Sequence, residues 1–297
     1  GYLGLTLAAV LLAMFLGQRY PMNWQARDDA PQDETIRAEL LDLGFPEQVL
    51  DDLTAEEAAH MSGAVKVYTE TEPLYEDDTY REVTTSVWNE DTPPRWHYID
   101  AEKQLDGSYH YTYRVYDFYE GFVTHVVVLV EEAGRQRAVV LHYAAIDRPS
   151  GDCLAEGMEI WPVWQGNEES WSPGGWYSGR LLCEKDGQSY TADFYSVESG
   201  SYETTNIFGT SQNTGMIAEW SRMDHSGNVR AYLLYDAEML TPELPSLYSW
   251  CNYARQTRPV YPFRDALTLW HEWNTNGCYE KWQTSIQIWP PVEEETE

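Results

Sequence analysis

The sequence predicts a mainly β protein that begins with a short helical unit, on the basis of three observations. Hydrophobic residues make up 43% and aromatic residues 14% of the 297-residue chain, which is typical of a folded rather than a disordered protein. From Ala64 onward the apolar residues recur with a period of two between closely spaced turn signals, as in antiparallel strands. Short motifs also recur in the same order roughly 120–130 residues apart, which predicts two tandem, antiparallel β-sandwich-like domains related by internal duplication.

Residues 1–18 are predicted to form a transmembrane helix whose beginning is missing. Segment 2–17 is uncharged and nearly all apolar. As a helix it would be about 24 Å long, somewhat shorter than the roughly 30 Å hydrocarbon layer. A cleaved signal peptide and a buried helix are the alternatives, but the segment has no convincing small-x-small cleavage site and no polar face. Because acidic residues soon outnumber basic ones after the span, we expect the main body to lie outside the cytoplasm.

A short helical stalk is predicted over residues 33–63, made of three helices. Asp33 precedes apolar residues at helical spacing and is expected to cap the first helix. Pro46 suits the first turn of the second helix. Thr54 and Glu57 have the spacing of a capping box, which predicts the start of the third. We expect this unit to pack on the first sheet.

Two β-domains are predicted, over residues 64–166 and 186–292. In the first, an Asp-Gly turn at 106–107 precedes alternating tyrosines, as in a hairpin. The motifs that support a duplication are four pairs of similar segments in the same order: 84–88 with 204–208, 106–107 with 226–227, 140–142 with 269–271, and 159–162 with 287–290.

The remaining segments are predicted to connect or extend these units. They lack apolar periodicity and are rich in Gly, Pro, Ser or acidic residues. They are a linker at 19–32, an interdomain linker at 167–185, and an acidic tail at 293–297.

The charge of the chain is strongly negative: 49 acidic and 19 basic side chains give a formal net charge of −30. A field of this sign repels phosphate backbones, which argues against nucleic acid as a partner. The expected partners are the membrane, through residues 2–17, and an envelope protein or a glycan.

No sequence motif specifies a reaction. The chain lacks a glycine-rich phosphate loop, a nucleophile-elbow serine and a Cys-x-x-Cys pair. We therefore predict no catalytic residue, no metal site and no cofactor, and an enzymatic role is less expected than a binding role. The histidines, including His125 and His142 on predicted strands, are expected to be structural.

The cysteines permit disulfide bonds. Four cysteines in an exported domain can form two disulfides in any of three connectivities. Local pairing would join Cys153 to Cys183 and Cys251 to Cys278, and reduced thiols are the alternative.

A run of tryptophans is the candidate ligand-binding feature. Aromatic faces on loops stack against sugar rings or form the centre of protein interfaces, although packing in the core is the competing role. The residues are Trp161, Trp164, Trp171 and Trp176.

As a whole the chain resembles single-pass membrane proteins of bacterial genomes that have a short helical stalk and aromatic-rich β ectodomains. The resemblance rests on segments 41–46 and 51–54 and on the Ile-Trp-Pro strand endings. It implies the same architecture and a place in the bacterial cell envelope, but no activity. We therefore expect a membrane-anchored, extracytoplasmic binding or protein-interaction module, with a glycan-binding or glycan-cleaving ectodomain as the alternative.

Overall fold

A computed structural model describes most of the chain, and its strands form antiparallel sheets as predicted. The described residues are 22–75, 80–85, 96–116, 119–132, 134–147, 155–162, 171–194, 196–206, 209–223, 228–240, 246–256 and 279–288. Within these ranges the strands, in chain order, are β1 (Gln25–Ala26), β2 (Ala64–Tyr75), β3 (Tyr80–Thr85), β4 (Trp96–Lys103), β5 (Tyr109–Tyr116), β6 (Tyr119–Glu132), β7 (Arg135–Ile146), β8 (Ala155–Pro162), β9 (Trp171–Lys185), β10 (Gln188–Ala192), β11 (Ser196–Asn206), β12 (Gly209–Trp220), β13 (Val229–Met239), β14 (Leu247–Gln256) and β15 (Tyr279–Ile288).

Three helices precede the long strands, and the caps of the first and third are those that the sequence predicts. The helices are α1 (Glu34–Asp42), α2 (Glu47–Asp52) and α3 (Ala55–His60). The Asp33 side chain accepts hydrogen bonds from two backbone N–H groups at the start of α1. Thr54 and Glu57 form both hydrogen bonds of a capping box on α3. Pro46 is the N-cap of α2 rather than a residue of its first turn.

The first sheet has seven strands in the order β1-β10-β9-β13-β7-β6-β2. Its central strands are apolar on both faces because both faces are covered. Val126 and Val128 of β6 pack against the helices, whereas Val123 and Val127 pack against the second sheet. The helical unit therefore lies on one face of this sheet, as expected from the sequence.

The second sheet has five strands in the order β11-β12-β8-β14-β15. It packs on the other face of the first sheet, with Ile160, Trp220 and Tyr253 buried between the two. The architecture is thus three layers: helices, the seven-stranded sheet and the five-stranded sheet. Each fully buried large apolar side chain in these layers contributes about 1.5–3 kcal/mol to folding.

The third sheet has three strands in the order β3-β5-β4. Strands β4 and β5 are joined by the turn that the Asp106-Gly107 signal predicts, with Gly107 at φ 88°. One face of β5 carries Tyr109, Tyr111, Tyr113 and Val115 in alternating positions.

The structure corrects the two linker predictions. Residues 171–185 of the predicted interdomain linker form β9, a strand inside the first sheet. Within the predicted linker 19–32, residues 25–26 pair with β10 as strand β1. Two of the glycines in β9, Gly174 and Gly179, lie where the backbone comes close to β13 and leaves no room for a side chain.

The strands of the two predicted β-domains are hydrogen-bonded to each other in both large sheets. Strand β7, from the first segment, pairs with β13 from the second, and β8 pairs with both β12 and β14. The described strands therefore do not separate into two sheets at the predicted boundary. The internal duplication remains a prediction.

No helix among the described residues combines the length and the apolar character needed to cross a membrane. The transmembrane helix predicted for residues 1–18 and the acidic tail at 293–297 lie outside the described residues.

Candidate functional site

The four tryptophans of the predicted ligand site do not form one surface in the part of the chain that the structure describes. Trp171 and Trp176 lie on opposite faces of β9. Trp171 is buried in the core between the two large sheets, and Trp176 faces the helices. Trp161 belongs to β8, but its side chain lies outside the described part of the structure, as does the whole of Trp164.

Trp176 has a structural contact that explains its position. Its ring stacks on the imidazole of His60, with ring centroids 3.7 Å apart and planes inclined by 21°. His60 Nε2 lies 2.8 and 2.9 Å from the two carboxylate oxygens of Asp236. Arg137 donates to the same carboxylate at 3.2 Å and to the backbone carbonyl of His60. Among the described residues no Ser, Thr or Cys hydroxyl or thiol bonds to His60, so this group lacks the nucleophile of a catalytic triad.

The two described cysteines are buried and form no disulfide within the described residues. Cys183 lies on β9 and Cys251 on β14, and both face the core between the large sheets. Burial raises the pKa of the Cys183 thiol to about 11 and raises that of Cys251 as well. Their predicted partners, Cys153 and Cys278, lie outside the described residues, so the pairing remains a prediction.

A polar cluster joins the helices to the first sheet, and Asp52 at the end of α2 is its centre. The buried Asp52 carboxylate accepts hydrogen bonds from the Tyr143 hydroxyl at 2.6 Å, from Arg230 Nε at 2.6 Å and from Arg27 Nη1 at 3.1 Å. Arg180 donates to the Asp52 backbone carbonyl at 2.6 Å. Desolvation is the largest effect on Tyr143 and, together with the adjacent Asp52 charge, raises the pKa of its hydroxyl.

The same cluster continues through Glu57 on α3. Its carboxylate accepts hydrogen bonds from the hydroxyl groups of Tyr232 and Ser178, both at 2.6 Å. The Tyr232 hydroxyl in turn accepts one from Arg180 Nε at 3.0 Å. Every charge in this cluster has a partner of opposite sign or a hydroxyl group. Its chemistry is therefore that of a structural contact between layers rather than of a reacting centre.

A surface groove of about 320 Å³ lies beside the polar cluster. Its charged wall residues neutralise one another. Arg27 pairs with Asp29 at 2.6 Å, and Arg37 pairs with Asp51 at 2.6 Å. Because these arginines are already engaged by carboxylates, the groove offers no uncompensated charge for binding an ionic ligand.

The outer end of the third sheet is the better candidate for a binding site. Seven large apolar side chains of the described residues are exposed, and three of them fall within the eleven residues 99–109: Ile99, Leu105 and Tyr109. Leu105 stands fully exposed at the β4–β5 turn. Several exposed apolar side chains on one hairpin, rather than single ones scattered over the surface, are typical of interaction surfaces.

Two neighbouring residues extend this surface, which we call the hairpin patch: Ile99, Lys103, Leu105, Tyr109 and Tyr111. The rings of Tyr109 and Tyr111 lie on one face of β5 with centroids 6.3 Å apart. The Lys103 ammonium lies over the Tyr109 ring, 6.0 Å from its centroid. Side-chain exposure decreases along this face with distance from the turn: Tyr113 and Val115, further along the strand, are buried.

The sequence contains the hairpin patch without marking it as a site. Its alternating tyrosines predict a strand with an aromatic face, and Asp106-Gly107 predicts the turn. Whether that face is covered depends on the neighbouring strands, and no local pattern carries this information.

No group of three or more His, Cys, Asp or Glu residues within the described ranges has the geometry to hold a metal ion. The charged side chains there instead form ion pairs. One example is Glu156, buried with Arg222 at 2.6 Å between the two large sheets.

Comparisons with known proteins give only distant similarity. No protein-family model and no curated protein matches the chain. Among solved structures, the collagen-binding domain from a Staphylococcus aureus adhesin is 9% identical. The match covers 49% of this chain and 86% of that domain, with a TM-score of 0.25. A structure of Fap1 fimbriae, from work on Streptococcus parasanguinis adhesion, is 11% identical, with coverage of 63% and 79% and a TM-score of 0.25. Clostridium perfringens delta-toxin is 8% identical, with coverage of 74% and 95% and a TM-score of 0.24. At these TM-scores the similarity assigns neither a family nor a ligand.

Proposed function

We propose that this protein is a membrane-anchored binding module that contacts a partner protein through the hairpin patch. In this proposal residues 2–17 hold the chain in the membrane and the layered body lies outside the cytoplasm. The apolar character of that segment and the acidic body that follows it support this placement.

The exposed cluster at the β4–β5 hairpin is the observation that carries the proposal. Tyrosine is enriched in protein interfaces because it combines a large apolar ring with a hydrogen-bonding hydroxyl group. Leu105, which is fully exposed, and Ile99, which is 39% exposed, add aliphatic surface. Lys103 supplies a positive charge in a chain with a formal net charge of −30, and this favours a partner surface with a carboxylate facing Lys103.

A protein partner accounts for the hairpin patch better than a glycan does. Sugar rings stack on aromatic faces and need dense hydrogen bonding around them. The aliphatic side chains of Ile99 and Leu105 instead match the apolar centre of a protein interface.

Site-specific photocrosslinking in cells that produce the full chain tests this proposal. A photoreactive residue would replace Leu105 or Tyr109 in the hairpin patch. Tyr177, 49% exposed, is the control for Tyr109, which is 43% exposed, and Leu240, 54% exposed, is the control for the fully exposed Leu105. We expect adducts of one defined mass at positions 105 and 109 and none at the control positions.

The identified partner then permits a quantitative comparison. Tyr109→Ala in the purified chain should weaken its affinity by about 2 kcal/mol, roughly thirtyfold, as for an interface hot spot. Tyr177→Ala should leave the affinity unchanged. Equal crosslinking at all four positions, or an equal effect of the two alanine substitutions, would overturn the proposal. Binding to a glycan array that Tyr109→Ala abolishes would favour the glycan alternative.

A further inference from the structure

Two buried histidines form a direct contact in the core between the two large sheets. His125 on β6 and His142 on β7 are directly opposite in the strand pairing, and neither is exposed to solvent. Their Nδ1 atoms lie 2.6 Å apart, and the rings are inclined by 79°. A contact this short between two ring nitrogens requires one proton between them.

The contact is part of a chain of polar groups that crosses from one sheet to the other. His142 Nε2 lies 2.7 Å from the Ser249 hydroxyl of β14. The Ser249 oxygen lies 2.9 Å from the Tyr235 hydroxyl of β13. At the other end, His125 Nε2 has no hydrogen-bond partner among the described residues and lies 3.6 Å from Glu72 Oε1 of β2. We call Tyr235, Ser249, His142 and His125 the inter-sheet relay.

Only one direction of proton donation satisfies the relay. If His125 Nδ1–H donated to His142, His125 Nε2 would carry no hydrogen. Its lone pair would then face the Glu72 carboxylate, which is unfavourable because both groups are hydrogen-bond acceptors. In the opposite direction Tyr235 donates to Ser249, Ser249 donates to His142 Nε2, and His142 Nδ1–H donates to His125. The remaining hydrogen, on His125 Nε2, then points at Glu72. In this arrangement both rings are neutral.

The relay ties the two sheets together and runs across β13, β7 and β6 towards their β2–β15 edge. Ser249 belongs to the second sheet, and the histidines and Tyr235 belong to the first. Glu72 of the first sheet also accepts a hydrogen bond from the backbone N–H of Ser285 on β15 at 2.8 Å. A change in the relay therefore acts on the packing of β14 and β15 against the first sheet.

An additional proton is incompatible with this geometry. It would place two N–H groups against each other across 2.6 Å, or leave a buried imidazolium. Burial and the neighbouring His125 hold the pKa of His142 well below its usual range. Within the described residues, the titratable groups beside His125 are Glu70 and Glu72 of β2, and those that feel the Glu72 charge from β14 are Tyr248 and Cys251.

We propose that the inter-sheet relay is an acid-sensitive latch, which holds β14 and β15 on the first sheet at neutral pH and releases them when a histidine takes up a proton. The buried histidine takes up its proton only when the sheets separate locally. Opening is therefore favoured below the pKa of an exposed histidine. For one histidine of reference pKa about 6.5, the opening constant rises about thirtyfold between pH 7.5 and pH 5.0.

Hydrogen exchange of the full chain in detergent micelles tests the proposal, with rates corrected for the intrinsic effect of pH. We expect amide protection in β14 and β15 to fall about thirtyfold between pH 7.5 and pH 5.0, while protection in β9 and β10 stays constant. Nitrogen NMR of ¹⁵N-histidine should show His142 with its proton on Nδ1 and His125 with its proton on Nε2 at pH 7.5. Equal loss of protection in all strands, constant protection in β14 and β15, or the opposite tautomers would overturn the proposal.

Variants distinguish the contribution of the histidines to the pH effect from that of the nearby carboxylates. In His125→Asn/His142→Gln the pH effect on β14 and β15 should disappear, whereas it should persist in the control His110→Asn, whose residue is exposed on the third sheet. Burial and the Glu72 charge raise the pKa of Glu70. Glu70→Gln should therefore leave most of the effect in place, and loss of the effect in this variant would assign it to the carboxylates instead. If the double variant does not fold, the wild-type exchange and NMR measurements still decide the proposal.

Discussion

Asp29 and Arg180 form a bidentate ion pair that ties the segment ahead of the helices to strand β9. The Nη1–Oδ1 and Nη2–Oδ2 distances are both 2.7 Å. The same guanidinium donates to the Asp52 backbone carbonyl and to the Tyr232 hydroxyl, so one side chain contacts the N-terminal segment, α2 and β13. The first predicted linker is therefore fixed to the body of the protein over residues 25–29.

This pair makes stability depend on pH in the acid range. The Arg180 hydrogen bonds lower the pKa of Asp29 to about 2, from 3.8 in the unfolded chain. A lowered carboxyl pKa contributes stability that is complete above about 3.8 and is lost as the pH falls towards about 2. Asp29→Asn should therefore be less stable than wild type at pH 7, and the difference should shrink between pH 4 and pH 2.

Urea unfolding followed by tryptophan fluorescence measures this difference at each pH. Asp28→Asn is the matched control, because Asp28 is exposed and precedes Asp29 directly. Its free energy of unfolding should stay within about 0.5 kcal/mol of wild type at every pH. A constant difference between Asp29→Asn and wild type down to pH 2 would contradict the assigned role of the ion pair.

Asp52 is a buried acid at the centre of the helix–sheet contact. Its carboxylate is buried among Tyr143, Arg230 and Arg27. Asp52→Asn leaves Arg230 without its closest counter-charge and should cost about 3–5 kcal/mol of the free energy of unfolding. The measurement is the urea midpoint at neutral pH.

The neighbouring Asp51 provides the control for this prediction. Its carboxylate pairs with Arg37 at 2.6 Å but is 56% exposed. Asp51→Asn should therefore cost about 0–1 kcal/mol, as for other surface ion pairs. Equal losses in the two variants would show that burial of the charge is not what makes Asp52 important.

The sequence is sufficient to predict the helical unit because its signals are local. The caps at Asp33 and Thr54 depend on residues within one turn of the helix. The presence of β-strands can also be predicted, since the alternation of apolar and polar side chains with a period of two follows from the pleat of the strand itself. The hairpin turn at Asp106-Gly107 belongs to the same class of local signal.

The strand partners and the site depend on contacts between distant residues. Strand β13 pairs with β7, whose register partners Val229 and Ile146 are 83 positions apart in the sequence. A period of two fixes which side chains share a face but not which strand lies beside them. The same limit applies to Trp171 and Trp176: they are close in sequence, but the strand directs them to opposite faces.

Glycines in β9 show why this strand has the composition of a loop. A Cβ atom on Gly179 would lie 2.3 Å from the Tyr232 carbonyl oxygen of β13 and 2.9 Å from a Leu233 side-chain carbon. Gly179→Ala should therefore displace β13 and cost about 1–3 kcal/mol or more. Gly175 lies in the same strand, and an alanine methyl group there would have no neighbouring atom within 4 Å. Gly175→Ala should accordingly change stability by less than about 1 kcal/mol. Thermal unfolding of the two variants distinguishes them, and similar melting temperatures would show that β9 and β13 are further apart than this contact requires.

The buried thiols of Cys183 and Cys251 should resist alkylation in the folded protein. Burial raises the pKa of Cys183 from 9.0 to about 11, so its thiolate fraction at pH 8 is about a hundredfold smaller than that of an exposed thiol. With N-ethylmaleimide and peptide-resolved mass spectrometry, we expect no labelling of either residue in native buffer and complete labelling in guanidinium without a reductant. An exposed cysteine introduced by Ser62→Cys should react at once in both conditions and so controls for the reagent. Rapid native labelling of Cys183 would contradict its burial, and failure of either residue to react in guanidinium until a reductant is added would show that it forms a disulfide.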